Sequence, residues 1–179
     1  MAALTAATTP PIEHDARRSW PQTFRISNAI RIYAGALVGL PGTNALTSSR
    51  GYLVRWQDQI NIQWAGIAEA QSWTGGLITS AQSGTVANVN SVLGDTSATP
   101  IVEVSVECGP SILKNVTVTG VSAQADLWRT LLYCSTDNYT DLSTSATTYA
   151  PAIGKVLYYY SSSNAVVYLF GAARMTNIS

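Results

Sequence analysis

The sequence predicts an all-β protein, and three observations lead to that prediction. Short apolar runs alternate with polar residues at a period of two, as half-buried antiparallel strands do. Turn residues such as Pro41-Gly42 separate these runs, because Pro presets φ and Gly tolerates positive φ. Helical periodicity is almost absent, and only residues 123–128 could form one helical turn. We therefore expect about eight to ten strands in a small barrel or sandwich.

The first strands lie within residues 33–70, which we expect to form the nucleus of the body. Alternation places Leu53 and Arg55 on one face of a strand, and it places Asn61 and Gln63 on the polar face of the next. The predicted core faces of these two strands consist of Tyr52, Val54, Trp56, Ile60, Ile62 and Trp64.

Residues 102–119 repeat the same pattern in two further strands. The apolar face of the first strand is predicted at Val102, Val104, Val106 and Cys108, and that of the second at Val116 and Val118. Glu103 and Glu107 fall on the opposite, solvated face. Their Cα atoms would be about 13 Å apart along a strand, which is too far for a glycosidase acid/base pair.

The C-terminal strands are predicted at 131–134, 153–160 and 165–170. The last two form a hairpin with a four-residue loop at 161–164. Residues 166–170 are apolar on both faces, so this strand is expected to be central or covered on both sides. The run Tyr158-Tyr159-Tyr160 must place side chains on both faces. A role in the core or at a subunit interface is favoured over a ligand platform.

Composition excludes several classes of function. Only 11% of the 179 residues are charged and the net charge is zero, which does not fit a nucleic-acid-binding protein. So neutral a surface suggests that partners cover much of it. No apolar run is long enough to span a membrane, and the N-terminus lacks the basic region of a signal peptide. We therefore expect no nucleic-acid or membrane partner, and synthesis in a cytoplasm.

The chain offers little for catalysis or metal binding. His14 is the one histidine and lies in a Pro-rich segment, so a Ser-His-Asp site, a Cys-His site and a structural zinc site are disfavoured. Cys108 and Cys134 are expected to be buried, reduced thiols rather than a disulfide. Asp137 and Asp141 flank a turn and could contact a cation, but no EF-hand spacing is present. We expect no catalytic residue, metal or cofactor.

Residues 1–28 are predicted to be an extended N-terminal arm, followed by one domain at 29–179. The arm could lie along a neighbouring subunit, or it could be a frayed terminus. Its aromatic side chains favour docking, because disordered tails seldom carry them. Residues 72–99 are expected to form an elaborated loop or hairpin. The candidate contact residues of the arm are Arg17, Arg18, Trp20, Phe24 and Arg25.

Several short motifs between residues 30 and 171 resemble the head decoration, or capsid cement, proteins of tailed bacteriophages. These are Tyr-Ala-Gly-Ala-Leu-Val (33–38), Gly-Tyr-Leu-Val (51–54), Ala-Gly-Ile-Ala-Glu (65–69), Val-Glu-Val-Ser-Val-Glu-Cys-Gly (102–109), Leu-Leu-Tyr-Cys-Ser-Thr-Asp-Asn (131–138) and Ile-Gly-Lys-Val-Leu (153–157). The resemblance leaves out the arm, and it is weak over the 72–99 loop.

The resemblance implies a β-barrel or β-tulip body that binds the outside of an icosahedral head as a homotrimer. Such a protein contacts the major capsid protein, stabilises the expanded shell, and is not an enzyme. The virion, on its outer capsid surface, is the expected location. A carbohydrate-binding or tail-fibre module with exposed aromatic residues is the first alternative, and an enzyme with an unrecognised site is the second.

Overall fold

The computed structural model is nearly all β, as the sequence predicts. It describes residues 4, 8, 12–13, 21–25, 31–41, 53–69, 91–93, 103–122 and 130–172. In this part of the chain there is no α-helix, and a 3-10 turn lies at Tyr139–Asp141. The strands are β1 (Ile12–Glu13), β2 (Pro21–Arg25), β3 (Arg31–Tyr33), β4 (Leu37–Pro41), β5 (Val54–Arg55), β6 (Ile62–Ala68), β7 (Ser91–Leu93), β8 (Glu103–Glu107), β9 (Ser111–Val116), β10 (Val118–Thr119), β11 (Leu131–Cys134), β12 (Leu142–Ser143), β13 (Gly154–Ser161) and β14 (Asn164–Leu169).

Two main sheets form the body, and neither closes into a barrel. The larger sheet has the order β1-β9-β14-β13-β11-β12-β10, and the smaller has the order β2-β8-β6-β4-β5. A separate pair joins β3 to β7. A barrel requires its end strands to pair with each other, whereas here both sheets keep free ends. The closed-barrel form of the prediction is therefore wrong, while the all-β class is confirmed.

The larger sheet is antiparallel except where β10 pairs with β12. Strand β14 lies between β9 and β13, which confirms the prediction of a central strand. The hairpin turn between β13 and β14 is tighter than expected. Ser161 pairs with Asn164, so the connection has two residues, Ser162 and Ser163, rather than four.

The first core lies between the two main sheets. Trp56 and Trp64 are both buried in it, and their rings meet edge to face with centroids 5.5 Å apart. Trp56 donates its indole N–H to the carbonyl of Cys134, and Trp64 donates to that of Phe170, at 2.7 and 2.6 Å. The smaller sheet is thereby bonded to the larger one by side chains as well as by apolar contact. The predicted core positions of both tryptophans are confirmed.

A second core covers the opposite face of the smaller sheet. Leu53 and Val38 belong to it, whereas the neighbouring Val54 and Leu37 belong to the first core. The smaller sheet is therefore a middle layer with apolar side chains on both faces. This second face is why β4 and β6 are buried along almost their whole length.

Alternation fails at two of the predicted positions. Ile60 is 54% exposed, because β6 begins only at Ile62 and Asn61 takes a positive φ of 58° in the preceding turn. Glu107 is buried rather than solvated. It pairs with Ile67 of β6, which is buried in the first core, so this side of β8 is covered as well. The backbone carbonyl oxygen of Glu107 approaches Gly66, which has a φ of 143° and where a Cβ would lie 2.1 Å from that oxygen.

The predicted arm is joined to both sheets in its described parts. Strand β1 pairs with β9 at one edge of the larger sheet, and β2 pairs with β8 at one edge of the smaller sheet. The N–H of Thr8 bonds to the carbonyl of Ala34 at 3.0 Å. Strand β7 adds part of the predicted 72–99 loop to a sheet. The rest of that loop and the helical turn predicted at 123–128 lie outside the described residues.

Candidate interaction surface

The predicted contact residues of the arm have different places in the structure. Arg17, Arg18 and Trp20 lie outside the described residues. Arg25 ends β2, where its backbone pairs with Glu103. Phe24 is half-buried and packs against the second core, so part of its ring is used within the chain. The contact of these five residues with a neighbour stays a prediction.

The larger sheet has an outward face that is apolar and aromatic, on the side away from the first core. Alternation puts Leu113, Val156 and Val167 into the core, so their neighbours along each strand point outward. Tyr158 is 49% exposed and Tyr160 is 66% exposed. We call this surface the tyrosine face and define it by Ile112, Leu131, Lys155, Tyr158, Tyr160, Val166 and Tyr168.

Strand pairing sets these side chains in rows. Ile112 lies opposite Tyr168, Tyr168 opposite Lys155, and Lys155 opposite Leu131. With strands about 4.8 Å apart, this row of four residues spans about 14 Å. Tyr158 lies opposite Val166 in a neighbouring row. The ring of Tyr168 contacts that of Phe170 edge to face, with centroids 6.0 Å apart. The residues of the face are thus held by backbone pairing on a central part of the sheet.

A bulge in β13 is what exposes two of the three consecutive tyrosines. Val156 pairs with Val167 and Tyr158 pairs with Val166, so one extra residue of β13 lies between these pairs. The bulge shifts the alternation and turns Tyr159 toward the first core, against which it packs. Tyr158 and Tyr160 consequently share the outward side. The prediction that the tyrosine run occupies both faces is confirmed.

Charged residues of both signs lie along this side of the sheet. Lys114 and Lys155 occupy outward positions of β9 and β13, and Glu13 of β1 pairs with Ile112 in the same row. Lys155 is half-buried in the middle of its row, between Tyr168 and Leu131. A positive charge set among apolar groups favours a partner that brings a carboxylate to it.

Asp58 fixes a polar loop that carries a further exposed tyrosine. Its carboxylate accepts backbone N–H groups from Thr148, Tyr149 and Ala150 at 2.9, 2.7 and 2.8 Å. Partial burial raises the pKa of Asp58, but these backbone hydrogen bonds outweigh it and leave the pKa below its usual value. Ala150 is buried in the first core and Tyr149 is 60% exposed. The carboxylate therefore anchors the loop and does not face a ligand.

Asp137 takes part in an ion pair rather than a cation site. Its carboxylate accepts from Arg55 Nε at 2.6 Å and Nη2 at 3.1 Å, and from the backbone N–H of Leu4 at 2.9 Å. Arg55 Nη2 also donates to the Leu4 carbonyl at 2.9 Å. Asp141, the other candidate, accepts from the Thr136 hydroxyl at 2.8 Å. Within the described residues, no group of three or more His, Cys, Asp or Glu side chains could hold a metal ion.

Both cysteines are free and buried. Burial raises the pKa of Cys134 to about 12. Burial, with the nearby charges of Glu107 and Glu69, raises the pKa of Cys108 to about 12 as well. Thiolate is the nucleophilic form of cysteine, so neither sulfur is suited to nucleophilic chemistry. The Glu107 carboxylate accepts the N–H of Gly109 at 2.7 Å and belongs to a turn.

Comparison of the chain with known protein families, with curated proteins and with solved structures finds no match. Across the described ranges, no helix has the length and apolar character needed to cross a membrane. The structural features that bear on function are therefore the tyrosine face and the arm. The sequence pattern pointed to the tyrosines but not to Lys155. It also did not reveal the backbone hydrogen bonds accepted by Asp58 or the ion pair of Arg55 with Asp137.

Proposed function

We propose that the protein is a non-enzymatic structural protein of a bacteriophage head, which binds the outer capsid surface as a homotrimer and stabilises the expanded shell. The observation that carries the proposal is the tyrosine face, a rigid apolar surface on a chain with few charges. Exposed aromatic side chains grouped on one sheet face are typical of protein contact surfaces. The motifs that resemble capsid decoration proteins give this binding role its specific form.

The energetics of the tyrosine face suit a binding role. Tyr158 is 49% exposed and Tyr160 is 66% exposed, so a partner could bury about 100 Å² of each side chain. At about 25 cal/mol per Å², each ring would contribute about 2.5 kcal/mol before the entropy of association is subtracted. Their strand fixes both backbones in advance, which lowers that entropy cost. Many copies on one shell would turn a modest contact into stable attachment.

The arm supplies the second part of the proposal. Its basic and aromatic residues Arg17, Arg18 and Trp20 are proposed to contact the major capsid protein. Strand β2 pairs along its whole length with β8, so deletion of residues 1–28 would also remove an edge strand of the body. Substitutions in the arm are therefore a cleaner test than truncation.

Co-sedimentation with expanded heads tests the proposed function. Wild-type protein should sediment with heads assembled from the source phage's major capsid protein. A variant with Arg17→Ala, Arg18→Ala and Trp20→Ala should lose at least about tenfold in affinity, which corresponds to 1.4 kcal/mol. The matched control is Arg174→Ala, another basic residue near a chain end. Failure of the wild type to sediment with heads contradicts the proposal, and equal retention of both variants contradicts the role of the arm.

A carbohydrate-binding virion module is the second candidate, and the exposed tyrosines favour it. Tyr149, Tyr158 and Tyr160 are each about half exposed or more, and aromatic rings can stack on sugars. A glycan panel probed with wild type and with Tyr158→Ser/Tyr160→Ser separates the two candidates. Glycan binding that the double substitution abolishes would favour this second function. Trp56 and Trp64 are buried, so tryptophan fluorescence is a poor reporter here.

A further inference from the structure

We propose that Arg55 and Asp137 form a peptide-binding site, and that this site accepts residues 1–9 of a second copy of the chain in exchange for the chain's own. We call residues 1–9 the Leu4 segment. The inference does not depend on capsid binding, because neither the site nor the segment includes the contact residues predicted in the arm. It follows from the bonds made to the Leu4 backbone, from the burial of its side chain and from an unsatisfied hydroxyl group in the segment.

The site binds both backbone polar groups of Leu4. Asp137 Oδ1 accepts the Leu4 N–H at 2.9 Å, and Arg55 Nη2 donates to the Leu4 carbonyl at 2.9 Å. The two charged side chains also bond to each other, and that of Asp137 is only 1% exposed. Hydrogen bonds between a backbone group and an ionised side chain are stronger than those between neutral groups. This pair therefore recognises a peptide backbone, whatever side chain the peptide carries at that position.

The second core supplies the selectivity that the charged pair lacks. The Leu4 side chain is 6% exposed and belongs to this core, together with Val38 and Leu53. A polar or charged side chain in its place would lose its hydration without gaining a partner. The Leu4 segment reads Met-Ala-Ala-Leu-Thr-Ala-Ala-Thr-Thr and has no charged side chain. The ligand that fits the site is thus an uncharged peptide with a large apolar side chain between the two backbone bonds.

The body of the protein builds this site from parts that are distant from the segment. Arg55 ends β5, Asp137 lies between β11 and the 3-10 turn, and their bonds to Leu4 span 51 and 133 positions. The Asp137 carbonyl accepts the N–H of Leu37 at 2.8 Å, so β4 holds this part of the backbone in place. The carboxylate is positioned by Arg55 as well. A site held by the body in this way can accept the same segment from another copy.

Thr8 gives a physical reason for exchange. Its N–H bonds to the Ala34 carbonyl at 3.0 Å, but its buried hydroxyl oxygen has no hydrogen-bond partner among the described residues. A buried polar group without a partner lowers the stability of the state that contains it. When Leu4 moves to a neighbouring copy, Thr8 can leave its position and its hydroxyl group can reach water. Leu4 then makes the same bonds in the neighbour, and exchange of an identical element is a low-cost route to association.

Fluorescence anisotropy with a labelled, end-capped peptide of residues 1–9 tests the site on the full chain. Leu4→Asp disables the chain's own segment and leaves the site in place, and Leu4→Ala is a milder second variant; circular dichroism shows that each is folded. The peptide should bind both variants, and it should bind wild type at least about tenfold more weakly because the chain's own segment competes. A peptide methylated on the Leu4 nitrogen cannot donate to Asp137, so its affinity should fall at least about tenfold. Thr8→Val in the otherwise wild-type chain removes the unsatisfied hydroxyl and should weaken peptide binding at least about fivefold further.

Retention between two full-length variants tests whether a second copy supplies the segment. Leu4→Asp protein with a C-terminal affinity tag offers a vacant site, and untagged Asp137→Ala protein offers a segment whose own site is broken; Asp137→Asn is a milder second donor. The tagged Leu4→Asp protein should retain either donor on resin, whereas tagged Asp137→Ala protein should retain neither. Absence of peptide binding to both Leu4 variants overturns the inference, as does equal binding of the methylated peptide. Peptide binding without retention of either donor overturns exchange between copies. An unchanged affinity in Thr8→Val contradicts the role of the hydroxyl group.

Discussion

The ion pair between Arg55 and Asp137 offers the sharpest test of the packing described above. The Asp137 side chain is 1% exposed, whereas that of Arg55 is 30% exposed. Substituting Arg55→Met removes both charged donors of the carboxylate and keeps an apolar stem of similar length. Asp137 would then retain the N–H of Leu4 as its remaining described donor. The substitution leaves a buried negative charge without its counter-ion.

The expected loss in the free energy of unfolding differs between substitutions of Arg55 and of Asp137. Loss of one member of a buried pair costs about 3–5 kcal/mol when the remaining charge cannot reach water, which applies to Arg55→Met. In Asp137→Asn the charge left behind belongs to Arg55, which is partly exposed, and the amide oxygen can still accept the Leu4 N–H. We expect that substitution to cost about 1–2 kcal/mol. The double variant should cost about 2 kcal/mol less than the sum of the two single variants.

Urea unfolding followed by tryptophan fluorescence measures these costs. Trp56 is next to Arg55 and is buried in the first core, so it reports loss of the fold. Gln63→Met is the control, since this side chain is exposed on β6 and lies outside the tyrosine face, and it should change stability by less than about 0.5 kcal/mol. A cost below about 1 kcal/mol for Arg55→Met, or simple additivity in the double variant, would refute the reasoning.

Two further substitutions and one chemical reaction test other parts of the structure. Asp58→Asn should lower stability by about 1–2 kcal/mol at pH 7. The folded pKa of Asp58 is lowered, so its contribution is present above about pH 3.9 and is lost as the pH falls through the folded pKa. The difference between the urea midpoints of wild type and variant should therefore shrink as the pH is lowered below about 3.9. Burial raises the pKa values of Cys108 and Cys134 to about 12. At pH 8 both thiols should react with a thiol reagent at least about a hundredfold more slowly in native protein than in urea. Equal rates would contradict their burial. Gly66→Ala should lower the free energy of unfolding by more than about 2 kcal/mol, because the added Cβ would collide with the Glu107 carbonyl. An unchanged melting temperature would show that β6 and β8 do not approach so closely.

The sequence predicted the strands well where alternation is regular. Leu131–Cys134 and the last hairpin lie close to their predicted bounds. The buried positions of Val104 and Val106 in β8 follow directly from a period of two. Prediction from the pattern succeeded in these strands because one face of each is turned toward a core.

Alternation could not predict the places where the backbone leaves the regular pleat. Asn115 takes a positive φ of 55° in β9, and a bulge shifts the register of β13 after Val156. These irregularities depend on the partner strand, which is distant in sequence. The burial of Glu107 also depends on a distant strand, because Glu107 pairs with Ile67 of β6, which is buried in the first core.

The candidate site was predictable only in part. Three consecutive tyrosines must reach both sides of a strand, and that inference holds. The hydrogen bonds from Arg55 to Asp137 and from the Tyr149 N–H to Asp58 join residues that are 82 and 91 positions apart. No local pattern records such pairs, because the sheet order that brings them together is set by long-range packing. The residues of the tyrosine face likewise come together only when the four strands β9, β14, β13 and β11 are aligned.

The most direct measurement of the central claim is the temperature at which DNA leaves expanded, DNA-filled heads with and without this protein. A structural protein that clamps the outer shell must bind heads and raise that temperature, because it adds contacts that the internal pressure has to break. We predict a higher release temperature at saturating protein and an intermediate one for the Arg17→Ala, Arg18→Ala and Trp20→Ala variant. Heads that bind no protein, or that bind it and release DNA at the same temperature, would contradict the account.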